Sequence, residues 1–567
     1  MTIIENVPPF VVFLIGACLA LITRGWWRNF LILLVPIFGA INLAGYDNGL
    51  YHQSTLFGLE ISLTRVDKLS VLFGYLFHLA AFLCIIYSLH VKDTLQQTVT
   101  ILYAGSALGA VFAGDLITLL IFWEILAVTS AFLIWARRTE RSYKAATRYL
   151  IIQVISGLIL LTGVIIYIHQ TGETTFGFIG LKGLDSWLIF LAFGIKSAFP
   201  LLHNWLTDAY PESTETGTVF LSAFTTKVAV YSLARGYPGT DLLIYIGAAM
   251  TAFPIFFAVI ENDLRRVLAY SLINQVGFMV CGIGIGTALA INGAVAHAFN
   301  DVIFKGLLFM TMGAVLYRTG KINGSDLGGL YKSMPLTTTF CLVGAASISA
   351  FPLFSGFVSK SMVMVSAIEE GHEYVWAILL FASAGVFHHA GIKIPFFAFF
   401  SHDAGIRCKE APWNMLLAMG LASILCIYIG TFPELLYSML PFKTDYIPYD
   451  STHVIAQLQL LFFSAMAFVG LKLTGLYPPE LRSVVLDAEW TYRKLLPRIF
   501  SRLSNGLVVA DRTIREDVMS GLEKTIAKIS FIHGPEGMLG RTNAMGTSVA
   551  AVAVMLAIFL VLNFSGI

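Results

Sequence analysis

The chain has 567 residues, 57% hydrophobic and 12% charged, with a formal net charge of +2. Runs long enough to cross a hydrocarbon core of about 30 Å recur along it, so it reads as an all-α polytopic membrane protein. The small net charge gives no reason to expect a nucleic-acid partner, and six scattered cysteines without a CxxC pair signal no metal site, cluster or cofactor.

Apolar windows between polar breaks predict spans at 8–24, 28–46, 68–90, 99–113, 115–135, 143–169, 185–206, 213–236, 241–260, 267–285, 288–317, 335–366, 374–400, 412–432, 452–474 and 546–564. No charged n-region precedes a small-residue cleavage site, so the first run is expected to be a retained span. Odd-numbered connections are rich in Lys and Arg (Arg137, Arg138, Arg141, Arg265, Arg266, Arg407), while even-numbered ones are poor in them. The positive-inside rule then predicts both termini on the non-cytoplasmic side. Ser197-Ala198-Phe199-Pro200-Leu201 recurs as Ser349-Ala350-Phe351-Pro352-Leu353, each inside a long apolar run. A proline in mid-span frees carbonyls that only protein or water can satisfy, so Pro200 and Pro352 are expected helix breaks, the mark of a transport site between structural repeats. With five spans per unit the repeats are 99–236 and 241–400, and an odd number of spans makes them inverted. Segment 1–98 holds the N-terminal helices, 401–474 further spans and 546–567 a final one.

The connection 475–545 is the long hydrophilic segment. Within it Leu503, Leu507, Ile514, Val518, Leu522, Ile526 and Ile529 recur at helical spacing, predicting an amphipathic helix. It lies along the membrane or a neighbouring subunit, or packs on this chain's own loops.

Six ionisable residues fall inside apolar spans: Glu124, Lys196, Lys227, Asp301, Lys305 and Lys360. Such charges cost at least a few kcal/mol and usually line an ion or proton path; the alternatives are snorkelling to an interface and static inter-helix pairs. Glu124 needs a cationic partner to stay ionised, and Lys196, just before Pro200, is the expected one. Lys227 follows in the next span, so Lys196 moving between Glu124 and Lys227 would make a coupled switch. His297, Asp301 and Lys305 are spaced by four and share one helical face, as a proton wire with intervening waters requires. Lys360, after the second break, is the expected exit group. Lys393, beside Pro395, and His203 are weaker candidates, and His388 and His389 are expected to pack or face water.

Asp115 through Glu124 (DLITLLIFWE), Lys196 through Asp208 (KSAFPLLHNWLTD), Ser222 through Lys227 (SAFTTK), Asp263 through Ser271 (DLRRVLAYS) and Phe304 through Phe309 (FKGLLF) resemble the antiporter-like subunits shared by Mrp-type cation/proton antiporters, respiratory complex I and membrane-bound hydrogenases. The likeness covers about 65–432, and the wording around Glu124 resembles the Mrp D subunit. It implies about fourteen core transmembrane helices, two inverted five-helix repeats with a broken helix in each, and a hydrophilic axis. On it, Glu124 and Lys196 correspond to the carboxylate–lysine pair, Lys227 to the connecting lysine and Lys360 to the terminal lysine. Asn300-Asp301 stands where the family usually reads Asn-His, so the relay carries a carboxylate that either binds a cation or pins Lys305. The tail from about 475 resembles the lateral helix and final span of the distal complex I subunit. These likenesses imply a subunit of a Na⁺/H⁺ antiporter in a bacterial inner membrane, with homologous chains and small membrane subunits as partners. The rivals are a proton-pumping subunit of a complex I-like or hydrogenase-like enzyme and a membrane module for inorganic-carbon uptake.

Overall fold

The computed structural model describes residues 7–565 other than Phe57, Ser483, Val484, Leu486, Glu536, Met538, Leu539 and Asn543. It divides into two compact units, Met1–Asp487 and Ala488–Ile567. The larger opens with α1 (Pro9–Ile22) and α2 (Gly25–Ala44), followed by a two-stranded antiparallel hairpin, β1 (Gly49–Leu56) and β2 (Leu59–Val66). Then come α3 (Lys68–Ser88), α4 (Thr94–Phe112), α5 (Leu116–Trp135), α6 (Glu140–Thr171) and the first broken span, α7 (Leu184–Lys196) with α8 (Asn204–Ala209). After α9 (Gly217–Ala223), α10 (Thr225–Gly236), α11 (Asp241–Ile260), α12 (Leu264–Ile285) and α13 (Ala288–Thr319) comes the second, α14 (Pro335–Ile348) with α15 (Ser355–Glu369). The span of α16 (Glu373–Val386) continues through π-helical stretches Phe387–Lys393 and Phe396–Phe400, and α17 (Trp413–Thr431), α18 (Glu434–Ser438) and α19 (Ser451–Leu473) complete the unit's helices. Among the described residues of the whole chain, twelve helical segments are long and apolar enough to cross a membrane, and α1 and α14 are shorter apolar helices.

The hairpin is the element absent from the sequence reading. Its inward face carries Ser62, Thr64 and Val66, because β2 packs on polar helix ends: the Ser62 amide donates to Asp115 Oδ2 at 2.8 Å. Asp115 also caps α5, accepting from the Ile117 and Thr118 amides at 2.9 and 2.7 Å.

Local features recur along the chain. Asp115 pairs with Thr175 and Asp263 with Asn323, the second pair 148 residues after the first (263 less 115). The same offset relates α6 to α13, each of 32 residues, capped by Thr139 or Thr287 and closed by left-handed Gly172 or Gly320. Both breaks have one backbone signature: Ala198 and Leu201 at φ 63° and 68°, and Ala350 and Leu353 at 57° and 72°. A left-handed residue with a Cβ costs roughly 1–2 kcal/mol, so two such residues at each break mark positions the packing enforces. The freed carbonyls find donors: Ile195 O accepts from Trp205 Nε1 at 2.8 Å, and Ile348 O from Lys360 Nζ at 3.2 Å.

Helices α9, α10, α12 and α13 are buried on essentially every side, while α2, α6 and α16 keep broad exposed faces. An inner layer wrapped by protein can carry charge at membrane depth without meeting lipid.

In the smaller unit, α20 (Leu496–His533) is a 38-residue helix with Leu503, Leu507, Ile514, Val518, Leu522, Ile526 and Ile529 all exposed, and α21 (Met545–Phe564) is apolar throughout. The expected long amphipathic helix and final span are both present.

Candidate functional site

The candidate residues lie on α5, α7, α10, α13, α15 and the α16 span, with the fully buried ones concentrated in the inner layer. Glu124 is half-buried, beside an exposed stripe of Ile121, Ile125 and Val128 on α5. Its carboxylate rests against α6 where Gly157 leaves room, since a Cβ there would overlap Oε1. Oε1 has no protein hydrogen-bond partner among the described residues.

Lys196 is fully buried at the end of α7, donates to Trp123 O at 2.9 Å, and lies 4.1 Å from the centre of the Trp123 ring. The expected Glu124–Lys196 contact is not formed: no ion pair joins them within 4 Å. The two flank Trp123 instead, because the ammonium finds a carbonyl and an aromatic face on the buried side of α5 while the carboxylate leaves toward α6.

Lys227 makes the pair that Lys196 does not. Its Nζ sits 2.6 Å from Asp301 Oδ2 and donates to Ser222 O at 3.1 Å, with both side chains of the pair wholly enclosed. Asp301 was expected to pin Lys305 or to bind a cation. Its direct ion-pair contact is with Lys227 on α10 and not with Lys305, which donates to Ser271 Oγ on α12 at 2.7 Å. His297 bridges α12 and α15, with Nδ1 3.1 Å from Ser359 Oγ and Nε2 3.1 Å from Gln275 Oε1. Lys360 reaches Ile348 O across the second break and lies 5.0 Å from the Phe278 ring centre. It also lines a cavity of about 410 Å³ with Glu369, His453 and Gln457.

Lys393 is fully buried near the end of α11, donating to Val259 O and Glu261 O at 2.6 Å each and to Ala258 O at 3.3 Å. Its Nζ is 3.0 Å from Glu480 Oε1. Burial raises the Glu480 carboxyl above its ordinary range, with the Lys393 ammonium opposing it. His203 follows the first break and contacts Asp487 Oδ2 at 2.9 Å, and Tyr270 donates to the same oxygen at 2.9 Å. Glu480 and Asp487 were not singled out from sequence, because a carboxylate in a hydrophilic connection carries no warning. Gln153 was the more findable omission, an amide in mid-span on α6 with neither side-chain atom partnered among the described residues. Buried Ser197 Oγ, Thr226 Oγ1 and both amide atoms of Asn204 are likewise without protein partners.

Residues 113–387 match the transmembrane family of NADH:quinone oxidoreductase and Mrp antiporter proteins. That stretch, just under half of the chain, is similar to the antiporter-like membrane core of this family. It is 30% identical over 431 residues to the A subunit of a Na⁺/H⁺ antiporter from Alkalihalophilus pseudofirmus, covering 65% of this chain and 52% of that one, so it spans about half the length of that relative. Its fold matches a chain of the Mrp complex from Dietzia sp. DQ12-45-1b with a TM-score of 0.69 at 19% identity, covering 81% of this chain and all of that one. It also matches a chain of the membrane-bound sulfane sulfur reductase, an archaeal respiratory membrane complex, with a TM-score of 0.71 at 20% identity, covering 98% of this chain and all of that one.

Proposed function

We propose that this chain is a non-catalytic subunit of a multisubunit cation/proton antiporter, passing protons along Glu124, Lys196, Lys227, Asp301, His297, Lys305 and Lys360 in exchange for Na⁺ or another monovalent cation. The observation that carries this reading is the Lys227–Asp301 pair, enclosed at 2.6 Å between two buried helices. A buried ion pair is weak as a stabilising device, since apolar residues of similar volume do as well or better. Charges kept at membrane depth are better explained by a moving charge. Buried polar groups without protein partners are ordinarily completed by water, so Gln153, Ser197 and Thr226 are where water would join Lys196 to Lys227. Glu124, at the edge of an uncovered apolar stripe, suits contact with another subunit of the complex. The membrane is a bacterial inner membrane in this reading, with both termini on the non-cytoplasmic side and 99–236 and 241–400 as inverted repeats; the recurring caps and breaks support the repeats.

A second reading, a proton-moving subunit of a respiratory redox complex, is favoured by the near-complete match to a chain of the sulfane sulfur reductase complex. Glu124→Gln tests the path in either setting, since it keeps shape and removes charge. The assembled variant should lose pH-gradient formation in everted vesicles, and normal exchange would refute a role for Glu124. Mass spectrometry of the intact complex separates the readings by whether antiporter or redox subunits accompany the chain.

A further inference from the structure

The π-helical stretch Phe387–Lys393 holds three titratable groups, His388, His389 and Lys393, at the side of the axis. π-Turns inside α-helices are frequent at functional sites because they re-aim side chains the regular spiral would pack away. His389 is fully enclosed, and the Gly385 carbonyl one turn back bears on its ring, yet neither ring nitrogen closes a well-directed hydrogen bond among the described residues. An imidazole kept for packing would ordinarily satisfy at least one nitrogen. The cations that bear on it are Lys305 of the axis and Lys393 of its own turn.

Lys393 is over-supplied with acceptors. An ammonium has three donors, and the carbonyls of Ala258, Val259 and Glu261 can take all three, yet Glu480 Oε1 stands 3.0 Å away as a fourth. Apart from the Lys393 contact, neither oxygen of Glu480 has a hydrogen-bond partner among the described residues, although the side chain is only 6% exposed. A carboxylate whose nearest ammonium is already supplied by three carbonyls suits exchange of a proton better than fastening. The other charged groups here are Lys472, which also attracts the Glu480 carboxylate, and Glu261 of the α11–α12 connection, 3.7 Å from Arg266 in the first turn of α12.

We propose that Glu480, Lys393 and His389 form a second proton port, joining Lys305 to the aqueous side that carries the α11–α12 connection. The port rests on the proton-conducting reading above and adds an entry group to it. Once the Lys393 ammonium has discharged to its neutral amine, a proton from water binds the Glu480 carboxylate and passes to that amine, restoring both the carboxylate and the ammonium. The Lys393 ammonium gives it to one ring nitrogen of His389, and the other ring nitrogen releases its own proton through water to the neutral amine of Lys305. One proton enters and one arrives, and every donor returns to its starting charge once the imidazole turns over.

The test uses the intact complex in proteoliposomes, with proton movement followed by an entrapped pH dye after a Na⁺ step, for wild type and for Glu480→Gln, Glu480→Asp and His389→Phe. The port predicts at least about a tenfold loss for Glu480→Gln and for His389→Phe. Glu480→Asp should recover to within about threefold of wild type with a displaced pH profile, which a purely structural carboxylate would not produce. Should Glu480→Gln fail to assemble, His389→Phe decides alone, since it leaves the Glu480 segment untouched. Wild-type rates in an assembled His389→Phe complex overturn the port and leave the main path standing, whereas a wild-type complex that moves no protons overturns both.

Discussion

Asp301→Asn is the substitution for which the structure makes the largest demand. Asp301 lies 2.6 Å from Lys227 with both side chains fully enclosed, and among the described residues the other bond of Lys227 is to Ser222 O at 3.1 Å. The amide keeps volume and removes the one counter-charge. Breaking a buried pair by deleting one partner costs about 3–5 kcal/mol, and with about 1.36 kcal/mol per factor of ten every step through charged Lys227 slows by between roughly 10²-fold and several thousand-fold. Proton movement in everted vesicles, normalised to assembled complex on native gels, reads the loss. The double variant Lys227→Met with Asp301→Leu separates charge from packing. It should recover thermal stability to within about 1 kcal/mol of wild type, because removing both charges leaves no orphan, while remaining inactive. An assembled Asp301→Asn complex working within about threefold of wild type would refute the claim that this pair carries the current.

Gly157→Ala places a Cβ on the Glu124 carboxylate, so it should destabilise the protein by about 1–3 kcal/mol and reduce exchange as Glu124→Gln does; melting and vesicle assays together check this, and full exchange would show that the carboxylate has another position. Truncation after Asp487 keeps the contacts of Glu480 and Asp487 and removes α20 and α21, and it should leave a folded core that no longer joins a full-size complex by native mass spectrometry. Asp67, the capping residue of α3, is held down to about 2: burial opposes the charge, but Arg235 and Arg65 outweigh it. Its contribution is therefore fully present above about pH 4 and lost as pH falls through about 2, so Asp67→Asn should cost about 1–2 kcal/mol at pH 7 after screening. In thermal melts the gap from wild type should narrow below about pH 4 and close only below about pH 2, and a gap independent of pH would contradict this.

The buried charges were legible because charge in an apolar span is expensive, which singles out Lys196, Lys227, Asp301, Lys305 and Lys360 from composition alone. Their pairing was not. Spacing by four set Asp301 beside Lys305 on α13, yet which neighbour a carboxylate meets depends on how α10 and α12 pack against that face, and Lys227 is the one that arrives. Glu124 and Lys196 were matched by charge, but no local rule foretells that Lys196 settles on Trp123. The breaks were readable from proline and repetition, and their left-handed residues were not, since Ala198 and Leu201 are ordinary residues that tertiary contacts force into place. The hairpin escaped because two of the three buried positions of β2, Ser62 and Thr64, are polar, which blurs the usual alternation. Glu480 escaped because a charge in a hydrophilic connection looks solvated until the fold carries it against Lys393.

The most direct measurement is a Na⁺ step applied to proteoliposomes holding the purified complex, with internal pH recorded and no electron donor present. Proton movement opposite to the Na⁺ gradient, abolished by Lys227→Ala in an equally assembled complex, is the predicted result. Proton movement that ignores every monovalent cation and starts only when a redox substrate is supplied would contradict the antiporter account and leave the respiratory reading in its place.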